Sequence, residues 1–169
     1  MPKPHPLDFD AIAEARRQWE ARDWEAPAAM SATTSIMRVQ QIILAAVDEA
    51  LRPLELTFAR YEALVLLAFS RQGSLPMGKM GDRLMLHPTS VTNIIDRLER
   101  QELVRRVAHP TDRRTKLAAI TDDGRRVVDK ATEAVSATGF GVTALCDDEL
   151  DCLTALLRKV RIAAGDFPG

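Results

Sequence analysis

The chain has 169 residues, of which 46% are apolar and 28% are charged, and its formal net charge is −1. This length fits one ordinary domain with a sizeable core, and the composition is that of a globular protein rather than a disordered one. The near-zero net charge excludes a simple polybasic nucleic-acid binder.

The first part of the chain predicts two helices. Apolar residues recur at helical spacing from Asp8 to about Trp24, and Asp8 is placed to cap the first amides. A longer apolar stripe follows the capping candidate Ser31, and its breadth over residues 36–51 predicts burial on more than one side. Pro53 must end this helix, because proline lacks the N–H and clashes with the preceding turn.

A third helix and a short fourth helix follow. Thr57 can cap the third helix, whose apolar face runs to about Ser70. The next apolar set, Leu75, Met80 and Leu84, predicts a helix of about two turns.

The segment 87–101, HPTSVTNIIDRLERQ, has a helical pattern with an unusual outer face. Pro88 suits the first helical position. One buried side is set by apolar residues at helical spacing: Val91, Ile94, Ile95 and Leu98. The outward positions carry hydroxyl, amide and guanidinium groups in place of the usual Glu, Lys or Ala.

After Glu102 the periodicity changes from helix to strand. The runs LVRRVA and TKLAAI have β-type composition and are separated by HPTDRR, which is rich in turn formers, so a two-stranded hairpin fits best. Thr121 then precedes a helix that continues to Val135, and Asp147 or Asp148 opens a last helix.

Two short helices joined by a tight turn and followed by a hairpin with basic tips predict a winged helix-turn-helix. We expect a mainly α fold with a small β-hairpin wing and a helical dimerisation region. Residues 1–53 and 122–169 would hold the dimerisation helices, and residues 54–121 the winged DNA-binding domain. The outer helices carry more apolar surface than one small domain can cover, which predicts a homodimer.

In this fold the second helix lays its polar side in the DNA major groove, where base edges present donors and acceptors. Residues 83–116 carry eight Lys and Arg against four Asp and Glu, a net charge of +4, whereas the rest of the chain carries −5. The hairpin tip holds Arg113 and Arg114, which can enter the minor groove, and Asp112 can orient one of them.

The candidate DNA-binding residues are Pro88, Thr89, Ser90, Thr92, Asn93, Arg97, Arg100, Asp112, Arg113, Arg114 and Lys116. The partner would be double-stranded DNA, and the two-fold symmetry of a dimer predicts a palindromic operator with half-site centres about 34–36 Å apart. A polar helix face and a solvated turn without a partner remain the alternative at these positions.

The sequence contains no sign of a membrane anchor or a secretion signal. Its longest apolar stretches fall well short of the roughly 18 residues that a membrane span needs, and the first ten residues lack the apolar core of a signal peptide. The two cysteines, Cys146 and Cys152, do not make a disulfide framework. We therefore expect a cytoplasmic protein with no membrane partner.

The run from Val91 to Gly124, VTNIIDRLERQELVRRVAHPTDRRTKLAAITDDG, resembles the MarR family of bacterial transcription regulators, which read approximately VTRLVDRLExxGLVxRxxxPxDRRxxxLxLTxxG. The match is specific in its ordered spacing and extends more weakly over residues 54–135. It implies a dimer in which the N- and C-terminal helices of two chains interlock above two winged domains. The resemblance implies a DNA-binding regulator, a repressor, with no cofactor.

Two positions depart from the family pattern. Asn93 stands where Arg or Lys is frequent, which implies a different base preference because Asn favours adenine edges. Glu102 stands where Gly is usual, which suggests a helix end without the usual left-handed glycine.

The resemblance also implies a small-molecule effector, often anionic or phenolic, that releases the DNA. An extra N-terminal helix with Trp19 is similar to the urate-responsive branch of the family, and Glu62 and Arg106 fall at about the places of that branch's acid and arginine. The arginine of that branch's recognition helix aligns near Ile94, so urate itself is not implied. The candidate ligand-binding residues are Trp19, Glu62 and Arg106, and the alternative for Trp19 is a packing anchor.

Other classes of function find less support in the sequence. It contains no Gly-rich phosphate loop, HExxH or GxSxG, so we expect no enzyme, and three histidines without ligand spacing predict no metal site. His87 fits a capping or packing role. A winged domain that binds protein, or redox sensing through Cys146 and Cys152, is the alternative function.

Overall fold

The computed structural model describes residues 7–112 and 115–169. Its helices are α1 (Ala11–Glu20), α2 (Pro27–Leu51), α3 (Phe58–Phe69), α4 (Met77–Leu84), α5 (Pro88–Arg100), α6 (Asp122–Ala137) and α7 (Asp147–Ala163). Its strands are β1 (Ser74–Pro76), β2 (Val104–Ala108) and β3 (Lys116–Ile120). None of the helices in these ranges combines the length and the apolar character needed to cross a bilayer.

The first two helices start at other residues than the sequence predicted. Asp10, not Asp8, caps α1, and its carboxylate accepts hydrogen bonds of 2.9 and 3.1 Å from two amides of the first turn. The second helix begins at Pro27, which needs no N–H partner at the first helical position, so Ser31 lies inside the helix. The Ser31 hydroxyl donates to the carbonyl of Pro27 at 2.9 Å instead of capping.

The cap of α3 comes from another helix. Thr57 occupies the predicted cap position, but its side chain makes no capping hydrogen bond. Asp48 of α2 accepts the amide hydrogen of Phe58 at 2.7 Å. This bond ties the start of α3 to the end of α2, which ends at Leu51 before the predicted stop at Pro53.

The core of the chain lies between α3, α5 and α6. The predicted buried side of α5 is confirmed for Val91, Ile95 and Leu98, and Ile94 is partly buried. The other elements contribute Val47, Leu51, Leu56, Tyr61, Ala63, Leu64, Leu67, Met80, Leu103, Val104, Ala118, Ile120, Val128, Ala131 and Val135. Thr121, which precedes the predicted helix, caps α6, because its hydroxyl oxygen accepts the amide hydrogen of Gly124 at 2.9 Å.

The sheet has three antiparallel strands in the order β1-β3-β2 rather than the predicted two. The hairpin of β2 and β3 is confirmed, with Val104 opposite Ile120 and Ala108 opposite Lys116. Leu75, which the sequence assigned to the short helix, lies in β1 opposite Ala118. A strand of three residues is too short to show a period of its own, and only pairing with β3 defines it.

The helix α5 ends at a residue with a left-handed backbone conformation, although that residue is not glycine. Glu102 has φ of +60°, and its amide donates to the carbonyl of Glu99 at 3.0 Å. The next amide, of Leu103, donates to the carbonyl of Leu98 at 3.0 Å. This is the Schellman pattern, in which a non-glycine residue usually costs about 1 kcal/mol. The turn places β2 directly behind α5.

Two helices carry large apolar side chains that the single chain leaves exposed. No residue of α7 is buried, and of α2 only Val47 and Leu51 are buried. The exposed apolar residues of the two helices are Ile36, Met37, Val39, Ile42, Leu153, Leu156 and Val160. The predicted burial of the α2 stripe on more than one side is therefore absent within one chain.

Candidate nucleic-acid interface

One face of α5 presents polar side chains to solvent. Thr89, Asn93, Arg97 and Arg100 are all exposed and follow one another at spacings of three or four residues, so they form a continuous polar stripe. Pro88 and Thr92 are also exposed, and Ser90 is half-buried. The polar stripe lies opposite the buried side of the helix. The structure therefore leaves these predicted DNA-binding residues accessible.

Thr92, beside the polar stripe, and Arg100, within it, each make a hydrogen bond to the backbone of α5. The Thr92 hydroxyl donates to the carbonyl of Pro88 at 3.0 Å, so in this conformation it can only accept a further hydrogen bond. The Nε of Arg100 donates to the carbonyl of Asp96 at 3.2 Å. The remaining guanidinium nitrogens of Arg100 can still donate to a ligand.

Arg106 of β2 binds two acids of α5. Its guanidinium forms ion pairs with Asp96 and Glu99, and its backbone amide donates to a carboxylate oxygen of Glu99 at 3.0 Å. Partial burial lowers the pKa of Arg106, but the hydrogen bonds and charges of the two carboxylates outweigh it and raise the pKa above its ordinary value. We call this group of three residues the Arg106 clamp. It fixes β2 to α5 and neutralises the two acids beside the polar stripe.

The base of the wing is held by hydrogen bonds between its two ends. The amide of His109 donates to the carbonyl of Thr115 at 3.2 Å, and the Thr115 hydroxyl donates to Asp112 at 2.6 Å. Lys116 is exposed at the start of β3. Arg113 and Arg114, the predicted minor-groove residues, lie outside the described residues.

Two cations of α4 join the candidate site residues, although the sequence did not predict them. Lys79 and Arg83 are exposed and lie four residues apart, so they share one face of the first helix of the helix-turn-helix. The first helix of such a motif crosses the DNA backbone. The spacing of two cations on a short helix was the signal that could have found them.

The three candidate ligand residues belong to three different elements of the chain: Trp19 to α1, Glu62 to α3 and Arg106 to β2. The indole N–H of Trp19 donates to the carbonyl of Glu25 at 2.9 Å, and its ring meets Trp24 edge to face at 4.8 Å, which fastens the corner between α1 and α2. Burial raises the pKa of the half-buried Glu62 carboxyl. Arg106 belongs to the clamp. Within the described ranges, no hydrogen bond or ion pair joins any two of the three.

Cys146 and Cys152 are both free and exposed. Cys146 is the cap of α7, and Glu149 accepts its amide hydrogen at 2.9 Å. The two cysteines are six positions apart, which at the helical rise corresponds to about 9 Å along the axis, more than a disulfide can span. A bond between them within one chain would therefore require the start of α7 to unwind.

Comparisons with known proteins point to regulators with the same fold. The family model described as "MarR family" matches residues 56–116. The chain is 32% identical over 107 residues to the HTH-type transcriptional regulator MhqR of Bacillus subtilis, across 63% of this chain and 74% of that protein.

Two solved structures extend the similarity beyond the matched segment. Sco5413, a MarR family transcriptional regulator from Streptomyces coelicolor, is 54% identical, with a TM-score of 0.78 over 84% of this chain and 99% of that chain. CouR from Rhodococcus jostii RHA1, solved bound to p-coumaroyl-CoA, is 29% identical, with a TM-score of 0.67 over 79% of this chain and 90% of that chain.

Proposed function

Because the chain belongs to the MarR family of transcriptional regulators, which are not enzymes, we propose that it is a sequence-specific DNA-binding repressor. It acts as a homodimer on a palindromic operator and leaves the DNA when a small anionic or aromatic ligand binds. The observation that carries this proposal is the polar stripe of α5, which the chain leaves open to solvent beside the wing.

The polar stripe has the chemistry that the major groove requires. Thr89 and Asn93 lie in the first turns of α5, the part of a recognition helix that reaches the base edges, and Arg97 follows one turn later. Lys79 and Arg83 of α4 approach the phosphates, and the wing tip enters the minor groove. Phosphate contacts of this kind supply most of the affinity and make it fall with salt.

The exposed apolar faces of α2 and α7 support the homodimer. Apolar patches of this extent on a single chain are typical of protein interfaces. Residues 1–53 and 122–169 provide this interface, and residues 54–121 bind DNA. A symmetric dimer presents two copies of α5, which accounts for a palindromic operator with half-site centres about 34–36 Å apart.

Asn93→Ala is expected to relax base choice at one position per half-site, at a cost of about 1–3 kcal/mol, because a bidentate contact to adenine is lost. Fluorescence anisotropy with operator and random duplexes measures this loss. Arg100→Ala is the matched control and should weaken both duplexes alike, since Arg100 contacts phosphate. Equal losses on both duplexes for Asn93→Ala would contradict the assignment of Asn93 to base recognition.

The Arg106 clamp suggests how an anionic ligand lowers DNA affinity. A ligand anion that takes the place of Asp96 and Glu99 on Arg106 leaves the two carboxylates unpaired near the DNA phosphates. The wing also loses its bond to α5. The relative CouR, with its bound p-coumaroyl-CoA, supports an aromatic effector for this chain. Glu62 and Trp19 complete the proposed ligand site.

Trp19→Ala is expected to keep the affinity for the operator within about twofold of that of the unchanged protein. An aromatic carboxylate that releases the unchanged protein from the operator should no longer release this variant. Release from a labelled operator is measured by anisotropy across a panel of aromatic carboxylates and their thioesters. Trp24→Ala is the control, because it removes the ring that packs on Trp19 and leaves Trp19 itself. Equal loss of release in both variants would instead assign Trp19 a packing role.

A further inference from the structure

The tripeptide His-Pro-Thr occurs twice in the chain, at residues 87–89 and 109–111. In both copies the histidine Nδ1 accepts a hydrogen bond from the backbone amide of the threonine, at 3.3 Å from Thr89 and 3.3 Å from Thr111. The second imidazole also accepts from the amide of Asp112 at 3.2 Å. The two copies therefore share this hydrogen bond.

The proline between the two residues favours this structure. A residue before proline is held in an extended conformation, and His87 has φ of −60° and ψ of 143°. In this conformation the His87 side chain can accept the amide hydrogen of Thr89, two residues later in the chain, as a helix-capping side chain does. The sequence repeat thus gives the two imidazoles the same hydrogen bond to the threonine two residues later.

The capping bond fixes the tautomer of each neutral imidazole. An Nδ1 that accepts a hydrogen bond carries no proton, so the neutral ring must carry its hydrogen on Nε2. The Nε2–H lies on the far side of the ring from the capped amide. His87 is exposed and His109 is half-buried, so the chain encloses neither ring.

The two imidazoles lie on the two elements that are proposed to enter the DNA grooves. His87 precedes the first turn of α5, and His109 lies at the base of the wing. We propose that His87 and His109 bind the DNA backbone as neutral groups, each donating its Nε2–H to a phosphate oxygen. The proposal rests on the DNA-binding function above and adds two residues to it.

A neutral phosphate contact has a thermodynamic signature of its own. Lys and Arg release counterions when they bind phosphate, so removing one lowers the slope of log K against log salt by about 0.9. A neutral imidazole adds affinity without changing that slope. It also adds affinity equally on every sequence, because the phosphates carry no base information.

The test uses the full chain at pH 8, where an ordinary imidazole is neutral, with operator and random duplexes over a range of salt concentrations. His87→Asn and His109→Asn keep a capping side chain but lack the reach of the imidazole. Each variant is expected to bind both duplexes about tenfold more weakly, with an unchanged salt slope and an unchanged Tm. Arg100→Ala serves as the contrasting control, with a reduced slope.

Unchanged affinity, a reduced salt slope, or a loss confined to the operator would each overturn the proposal while leaving DNA binding itself intact. Absence of duplex binding by the unchanged protein would overturn the proposed function as well. Where an Asn variant loses stability, ¹⁵N spectra of the unchanged protein decide instead. They are expected to show the Nε2–H tautomer and an Nε2 signal that shifts on addition of random duplex, and an Nδ1–H tautomer or an unmoved signal would overturn the proposal.

Discussion

Gly124→Ala is expected to lower the free energy of unfolding by about 3 kcal/mol or more. Gly124 is buried in the first turn of α6, where an added Cβ would lie 2.2 Å from the carbonyl oxygen of Leu103 and 2.8 Å from Cγ1 of Ile120. The Leu103 carbonyl cannot move freely, because it accepts the amide hydrogen of Thr121 at 3.1 Å. Urea unfolding followed by circular dichroism measures the change.

Gly78→Ala is the matched control for this prediction. Gly78 also lies in the first turn of a helix, α4, but a Cβ there would meet no atom within 4 Å. Alanine has the higher helix propensity, so this variant should gain up to about 1 kcal/mol. If the two variants have similar stability, the close approach of α6 to the start of β2 does not exist in solution.

The double variant Leu156→Lys and Val160→Lys is expected to make the protein monomeric and to lower operator affinity by about 100-fold or more. The two residues lie four apart on one exposed face of α7, with 54% and 63% of their surface accessible. Two lysines there would have to be desolvated in an interface, at a cost that the dimer cannot recover. A monomer would then hold the operator through one copy of α5 only.

Sedimentation velocity and anisotropy test this prediction together. Thr154→Lys is the control, because Thr154 is exposed and projects from the opposite side of α7 at helical spacing. It should leave both the dimer and the operator affinity unchanged. No residue of α7 belongs to the buried core, so the circular dichroism spectrum of the double variant should also persist. A dimeric double variant would show that α7 is not part of the interface.

Residues 83–116 contain four acids, and the Arg106 clamp explains how this segment can still present a positive surface. Asp96 and Glu99 face β2 and pair with Arg106, whereas Arg97 and Arg100 remain exposed. The net charge of the segment therefore understates the charge that the polar stripe presents to a duplex. Salt screens exposed ion pairs more strongly than partly buried ones. The Arg106 side chain is only 22% accessible, so we expect salt to weaken the clamp less than an exposed ion pair.

The sequence by itself determined the elements that repeat a local pattern. The two faces of α5 follow from a period of 3.6 residues. Pro88 marks the start of α5 because its fixed φ suits the first helical position, and Thr121 marks the start of α6 because its hydroxyl accepts an amide hydrogen of the first turn. The hairpin of β2 and β3 follows from two runs of β-type residues around a turn. Local propensity decides these features, so they can be seen without the fold.

Only the tertiary structure decided the features that join distant residues. The third strand β1 exists because β3 pairs with it, the cap of α3 comes from Asp48 ten residues earlier, and Arg106 meets Asp96 across the turn at Glu102. No local pattern encodes such contacts, because their partners become neighbours only when the core forms. The position of the wing relative to α5, on which the candidate interface depends, is of this kind.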